Sequence, residues 1–275
     1  MIHGDLHIPN LTPRERVVTS APTMMLIHGA WAEGWVWDPV VPLLESAGIR
    51  PIAVDLPGTP RSGTRAADAS LDSYAAAVSD AIPKDAADVY LVGHSGGGVV
   101  ATAVAETLFD RVAGVVFVAG IMLPSDVSLA SLSEQAAAVG NPLHRGVMPY
   151  TIRTRDGSAS IVPPEAGVAC FFQTAPPDLA IAASRRLVVQ PDSGLEITPH
   201  WTEQRFGRVR RLYIEALQDR AIALYLQRFM QMKSSGCEVA QLDCDHAPQL
   251  SATRELAEIL IHFAAKGSQR SASEN

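Results

Sequence analysis

The chain predicts an α/β fold: a mostly parallel central sheet flanked by helices, with an inserted cap. Three observations carry this. Short apolar runs such as TMMLI (Thr23–Ile27) and VAGVVFV (Val112–Val118) show no polar alternation, the pattern of strands buried on both faces. Helical patterns of about a dozen residues separate these runs, which is the rhythm of βα units. That rhythm then lapses from about Ile121 to Arg208, where nine prolines fall between short helical stretches.

Taken in order, Thr23–Ile27 is a strand that ends in a tight turn at His28-Gly29. From Trp35 to Ala47, apolar residues at Trp37, Val40, Val41, Leu44 and Ala47 follow helical spacing, and Gly48 stops the helix. Ile49–Leu56 is a second buried strand, closed by PGTPRSG. A helix over Leu71–Ile82 stops before Pro83, and Val89–Val92 is a strand. Gly96–Phe109 is a helix of small residues, and Val112–Val118 is the next strand. Inside the cap, Leu129–Val139 and Asp178–Leu187 read as helices. The rhythm resumes with strand Val209–Ile214, helix Ile222–Met232, strand Glu238–Leu242 and a last helix over Thr253–Ala264. The expected organisation is an extension over 1–22, a core over 23–120 and 209–265, a helical cap over 121–208, and a frayed polar tail over 266–275.

Composition excludes several function classes. With 275 residues, 47% of them hydrophobic, the chain can bury one large core and is no disordered segment. It has no apolar run of about 18 residues, the length that would span a bilayer, and its first residues lack the apolar stretch of a secretory signal, so a cytoplasmic protein is expected. A net charge of −7 disfavours nucleic acid as a partner. Cys170, Cys237 and Cys244 make neither a disulfide framework nor a zinc pattern. Cys244 stands two residues from His246, but chain neighbours seldom form a nucleophile–base pair, and buried thiols are the simpler expectation.

Gly93-His94-Ser95-Gly96-Gly97 is a G-x-S-x-G sequence with an apolar strand before it and a small-residue helix after it. In that setting the glycines permit a tight turn that holds a serine hydroxyl clear of the backbone. The simpler role for Ser95 is to cap the helix. A serine nucleophile needs a base to take its proton. Of eight histidines, His246 lies in a loop leaving the last strand, near the C-terminus. His28, at the end of the first strand, is expected to brace the turn that follows, while His144 and His200 could line a pocket in the cap. A carboxylate between Ser95 and His246 must orient the imidazole. Asp219 is the first choice, although it could simply cap the following helix, and Glu215 is its main rival. The backbone N–H groups of Gly96 and Ala30 are the expected donors for an oxyanion. Phe171, Phe172 and Trp201 are apolar enough either to wall a pocket or to pack the core.

The segments MMLIHGAWAEGWVWDPVVPLLESAGIRPIAVDLPG, YLVGHSGGG, RRLYIEALQDRAIALYLQRFM and LDCDHAPQLSATRELAEIL resemble the α/β-hydrolase superfamily. The resemblance is to the branch of plant methyl esterases, hydroxynitrile lyases and bacterial carboxylesterases, including pyrethroid-hydrolysing ones. It implies an α/β-hydrolase fold and a triad of Ser95, Asp219 and His246, with the Ala30 and Gly96 amides as oxyanion hole. It implies hydrolysis of a small-molecule ester with no metal or organic cofactor, and a homodimer is an open expectation. Hydroxynitrile lyases carry a lysine after the catalytic histidine and a threonine after the first-strand histidine. This chain has Ala247 and Gly29 there, which favours ester hydrolysis, with lactonase, amidase or hydroxynitrile-lyase-like activity as alternatives on the same triad. Gly96 stands where the plant methyl esterases commonly carry leucine, which weakens transfer of their substrates.

Overall fold

A computed structural model describes residues 21–138 and 146–273. The extension through residue 20, the end of the predicted Leu129–Val139 helix, and His144 lie outside the described residues. In chain order the elements are β1 (Thr23–Ile27), α1 (Val41–Ser46), β2 (Arg50–Val54), α2 (Leu71–Ala81), β3 (Val89–His94), α3 (Gly97–Thr107), β4 (Val112–Val118) and α4 (Leu129–Ala137). Then come β5 (Ile152–Arg153), β6 (Ala159–Ile161), α5 (Pro164–Cys170), α6 (Pro177–Ser184), β7 (Gln190–Pro191) and α7 (Asp192–Leu195). The chain ends with β8 (Arg211–Ala216), α8 (Leu224–Lys233), β9 (Glu238–Leu242), α9 (Pro248–Ser251) and α10 (Thr253–Ser273).

Six strands form one sheet in the order β2-β1-β3-β4-β8-β9, and every neighbouring pair is parallel. Side chains alternate across a strand, so the unbroken apolar run of β1 feeds two cores. Met24 and Leu26 pack with Trp37, Leu44, Leu260 and Phe263 on one face. Met25 and Ile27 pack with Val78, Val100, Phe117 and Met230 on the other. At about 1.5–3 kcal/mol for each fully buried large apolar side chain, this two-sided burial dominates the stabilisation. From β1 the chain steps to β2 on one side, then returns to place β3 on the other. Loops leaving β1 and β3 therefore diverge and open a crevice at the carboxyl ends of these strands, where ligands of open α/β sheets bind.

Three sequence expectations change. The predicted helix over Trp35–Ala47 is split into a 3-10 turn at Gly34–Trp37 and α1. Pro39 and Pro42 fall in that stretch and remove the N–H groups that a continuous helix would need. The last helix does not stop at Ala264 but runs through Ser273, so the tail expected to fray is helical over most of its length. Its start is anchored where the Tyr90 hydroxyl donates to the Ala264 carbonyl, and Gly267 fits because a Cβ there would collide with that hydroxyl. The cap is also not purely helical: β5, β6 and β7 form a separate antiparallel sheet. Strands of two or three residues are too short to leave a period in the sequence.

Candidate active site

The turn from β3 to α3 holds Ser95 at φ +52°, a backbone region that side chains adopt at a cost of about 1–2 kcal/mol. Hydrogen bonds fix it there. Ser95 N donates to Val118 O at 3.2 Å, and Ser95 O accepts from Gly98 N at 3.0 Å and Ile121 N at 2.8 Å. The glycine at position 97 is required by close approach: a Cβ there would lie 2.6 Å from Ile27 O. This lets α3 press against the end of β1 and lifts Ser95 into the crevice. Among the described residues, the Ser95 hydroxyl makes no hydrogen bond within the protein.

His246 comes from the loop after β9, Asp219 from the loop after β8. The two strands run in register to Ala216 and Leu242, so both loops emerge side by side. His246 Nδ1 donates to Asp219 Oδ2 at 2.8 Å, and both side chains are almost fully buried. The other carboxylate oxygen, Oδ1, accepts from the amides of Ala221 at 2.7 Å and Ile222 at 2.8 Å. One Asp219 oxygen thus bonds the turn that leads into α8 and the other bonds the imidazole. Glu215 is occupied elsewhere, bonded to Arg228, Gln231 and Gln241.

Supporting residues are drawn from distant parts of the chain. His94 Nε2 bonds the His246 carbonyl at 2.7 Å; a carbonyl only accepts, so His94 carries its proton on Nε2. Burial, reinforced by the neighbouring His246, holds the His94 pKa well below the usual histidine range. Asp245 is fully buried and accepts from Thr174 N at 2.8 Å, Ala247 N at 3.1 Å and the Ser251 hydroxyl at 2.7 Å, tying the histidine loop to the cap. Gln227 of α8 holds both backbone groups of Ala216, the Ile222 carbonyl and, at 3.3 Å, Asp219 Oδ2. Its amide nitrogen has two hydrogens for three acceptors, so the longest of these contacts is the weakest. Burial pushes the Cys244 thiol up to about 12, which leaves it no thiolate for chemistry at neutral pH.

Ile27 pairs with Gly93 across β1 and β3, which sets His28–Trp31 beside the serine turn. His28 donates from Nδ1 to Gly29 O at 2.8 Å and accepts at Nε2 from Leu56 N at 3.0 Å, so the ring braces the turn in its neutral form. Desolvation lowers its pKa, in keeping with that form. The Trp31 amide is already used, donating to Gln190 Oε1 at 3.2 Å. The Ala30 N atom lies 3.8 Å from where a Cβ on Gly96 would sit, so the two residues are close neighbours beside Ser95.

Ser95, His246, Ala30 and Gly96 all line one cavity of about 660 Å³. Core residues Val99 and Leu226 and cap residues Leu129, Met148, Phe171 and Phe172 are among its apolar walls. The Phe171 ring centroid stands 5.4 Å from that of His246. Trp201 does not join them; it packs on Phe206 and donates its indole N–H to Leu123 O. His200 pairs with Asp126 on the surface. Sequence reasoning misses Gln190 and Gln227, because no local pattern marks either residue's partners. Asp245, too close to His246 in the chain to be a first choice as its orienting carboxylate, instead anchors the loop.

A model of the alpha/beta hydrolase family matches residues 24–259. A pyrethroid hydrolase of Sphingobium wenxiniae is 32% identical over 251 residues, covering 88% of this chain and 87% of the relative. Esterase PIR7B of Oryza sativa is 28% identical over 264 residues, covering 90% and 97%. A crystal structure of a pyrethroid hydrolase from Sphingobium faniae superposes with a TM-score of 0.77 at 28% identity, covering 90% of this chain and 99% of that one.

Proposed function

The chain belongs to the alpha/beta hydrolase family, and from that premise we propose that it is a serine carboxylesterase acting on a small to medium hydrophobic or aromatic ester through an acyl-enzyme. The observation that carries this is the buried His246–Asp219 pair, 2.8 Å apart, opening on the cavity that also exposes Ser95. With Nδ1 committed to Asp219, only His246 Nε2 is free to take a proton. In the reaction, the Ser95 hydroxyl attacks the ester carbonyl as His246 Nε2 accepts its proton, and Asp219 stabilises the imidazolium. The Ala30 and Gly96 amides receive the carbonyl oxygen as it becomes an oxyanion, each such donor contributing about 3–4 kcal/mol. The alcohol departs with the proton from His246. Water then gives a proton to the same nitrogen and attacks the acyl carbon, and the acid is released as His246 Nε2 passes that proton to Ser95 Oγ, which restores both residues.

The relative named a pyrethroid hydrolase and the apolar cavity walls both support a hydrophobic ester. Lactones and amides are second substrates of the same chemistry. Cyanohydrin cleavage is disfavoured by Ala247 and by Gly29, where a Cβ would stand 2.7 Å from Ser95 Cβ. No helix among the described residues is long and apolar enough to cross a membrane, and a cytoplasmic location forms part of the proposal.

The test is covalent. A fluorophosphonate is expected to add one phosphonyl group to folded protein, mapped to Ser95 by peptide mass spectrometry. Turnover of p-nitrophenyl esters should fall by about 10⁴–10⁶-fold in Ser95→Ala. Folded protein that stays unlabelled at Ser95 removes the nucleophile and the proposal with it.

A further inference from the structure

Trp31 immediately follows Ala30, whose amide is assigned to the oxyanion, and it is held in an unusual conformation, φ +58°. A tryptophan adopts that region only when its surroundings impose it. Here the cap imposes it at three points. The Trp31 N–H donates to Gln190 Oε1 at 3.2 Å, its carbonyl accepts from Val188 N at 2.8 Å, and its indole N–H donates to Ser160 Oγ at 3.2 Å. Ser160 and Gln190 are register partners across β6 and β7, so the two side chains that grip Trp31 stand side by side on one small sheet. Both are buried. Gln190 is itself pinned, its amide nitrogen donating to Pro191 O at 3.0 Å. The Trp31 ring stacks on Phe171 with centroids 6.3 Å apart.

We propose that Gln190 and Ser160 are positioning residues that aim the Ala30 amide by clamping Trp31, so that the cap sheet sets the oxyanion hole. The Trp31 N–H that Gln190 fixes lies in the Ala30–Trp31 peptide plane, which hinges at the Ala30 Cα on the plane that carries the Ala30 N–H. Holding Trp31 at its N–H, carbonyl and indole therefore limits the backbone rotations open to Ala30 and with them the set of its amide. Gln190 also occupies the Trp31 amide, the competing donor in the same loop, and leaves the Ala30 amide as the donor for the oxyanion. Without an acceptor at 190, a buried N–H would be stranded. The loop would then rotate to satisfy it, and the strained φ at Trp31 would relax. Catalysis therefore depends on the cap through backbone geometry, independently of any contact between cap and substrate.

The inference rests on the esterase reading, and the two can fail separately. Three variants are compared with the wild type: Gln190→Leu, which removes the acceptor; Gln190→Glu, which keeps an acceptor oxygen; and Ser160→Ala, which releases the indole. Steady-state kinetics on a p-nitrophenyl ester are measured beside the affinity of an alkyl boronic acid, which forms a tetrahedral adduct on the serine and fills the oxyanion hole. In Gln190→Leu, kcat should fall by about 10- to 100-fold with KM within about twofold, and boronate affinity should fall by a similar factor, somewhat below the loss from deleting a donor outright. Gln190→Glu should restore most of both, and Ser160→Ala should show the same pattern at smaller size. A Gln190→Leu enzyme with wild-type kcat and boronate affinity overturns the clamp. So does one whose KM rises while kcat holds, since that marks a pocket wall. If Gln190→Leu does not fold, Ser160→Ala decides by the same readouts. A wild-type protein that binds no boronate and takes no fluorophosphonate instead sinks the esterase reading itself.

Discussion

A methyl group on Gly29 would lie 2.7 Å from Ser95 Cβ and 3.2 Å from its hydroxyl oxygen. Ser95 cannot yield easily, because its strained backbone is fixed by bonds to Val118, Gly98 and Ile121. Gly29→Ala is therefore expected to displace the hydroxyl and lower kcat by about 10–100-fold, as sub-ångström misplacement of a reacting group does, with a parallel slowing of fluorophosphonate labelling. Unchanged labelling would show that the loop absorbs the methyl at no cost to the serine. At this scale the sequence was legible where chemistry imposes a local signature or a chain order. Ser95 sits in a five-residue turn motif, and His246 and Asp219 follow strands late in the chain. Gln190 was not legible, because its partner Trp31 is 159 positions away and nothing around it is patterned.

Elements show the same divide. The long strands could be read because burial on both faces makes an unbroken apolar run, the helices α2 and α8 because burial on one face imposes a period, and α3 because its small residues follow the serine turn. The 3-10 turn at Gly34–Trp37 and the strands of the cap could not, because one turn or two residues carry no period. The loop between β8 and α8 depends on a residue that looks ordinary in sequence: Gln227 sits fully buried on α8 and returns to the Ala216 and Ile222 backbone. Gln227→Leu would strand those groups, at about 1–3 kcal/mol for each left unsatisfied. Denaturant unfolding should show a loss of about 2–4 kcal/mol, in the range of broken buried networks. A loss within about 0.5 kcal/mol, the usual scatter of surface substitutions, would mean that the backbone finds other partners.

Across the whole molecule, two buried histidines couple folding to pH. His28 and His94 both have pKa values below the ordinary 6.5, chiefly through desolvation. The unfolded chain then binds more protons than the folded one below about pH 6.5, so stability is complete above that value and declines as pH falls through it. Chemical denaturation from pH 8 to pH 5 should show this decline, and a flat profile would contradict the neutral forms assigned here. The sheet order could be anticipated as parallel but not read, since strand neighbours such as β4 and β8 are separated by the whole cap. His94 makes the same point about the serine signature itself. The letter before the serine is formally free in G-x-S-x-G, yet here it reaches the His246 carbonyl 152 positions away. A designer who recodes that letter as a spacer alters the attachment of a distant loop, so shuffling this turn between relatives must carry its far partner along as one heritable unit.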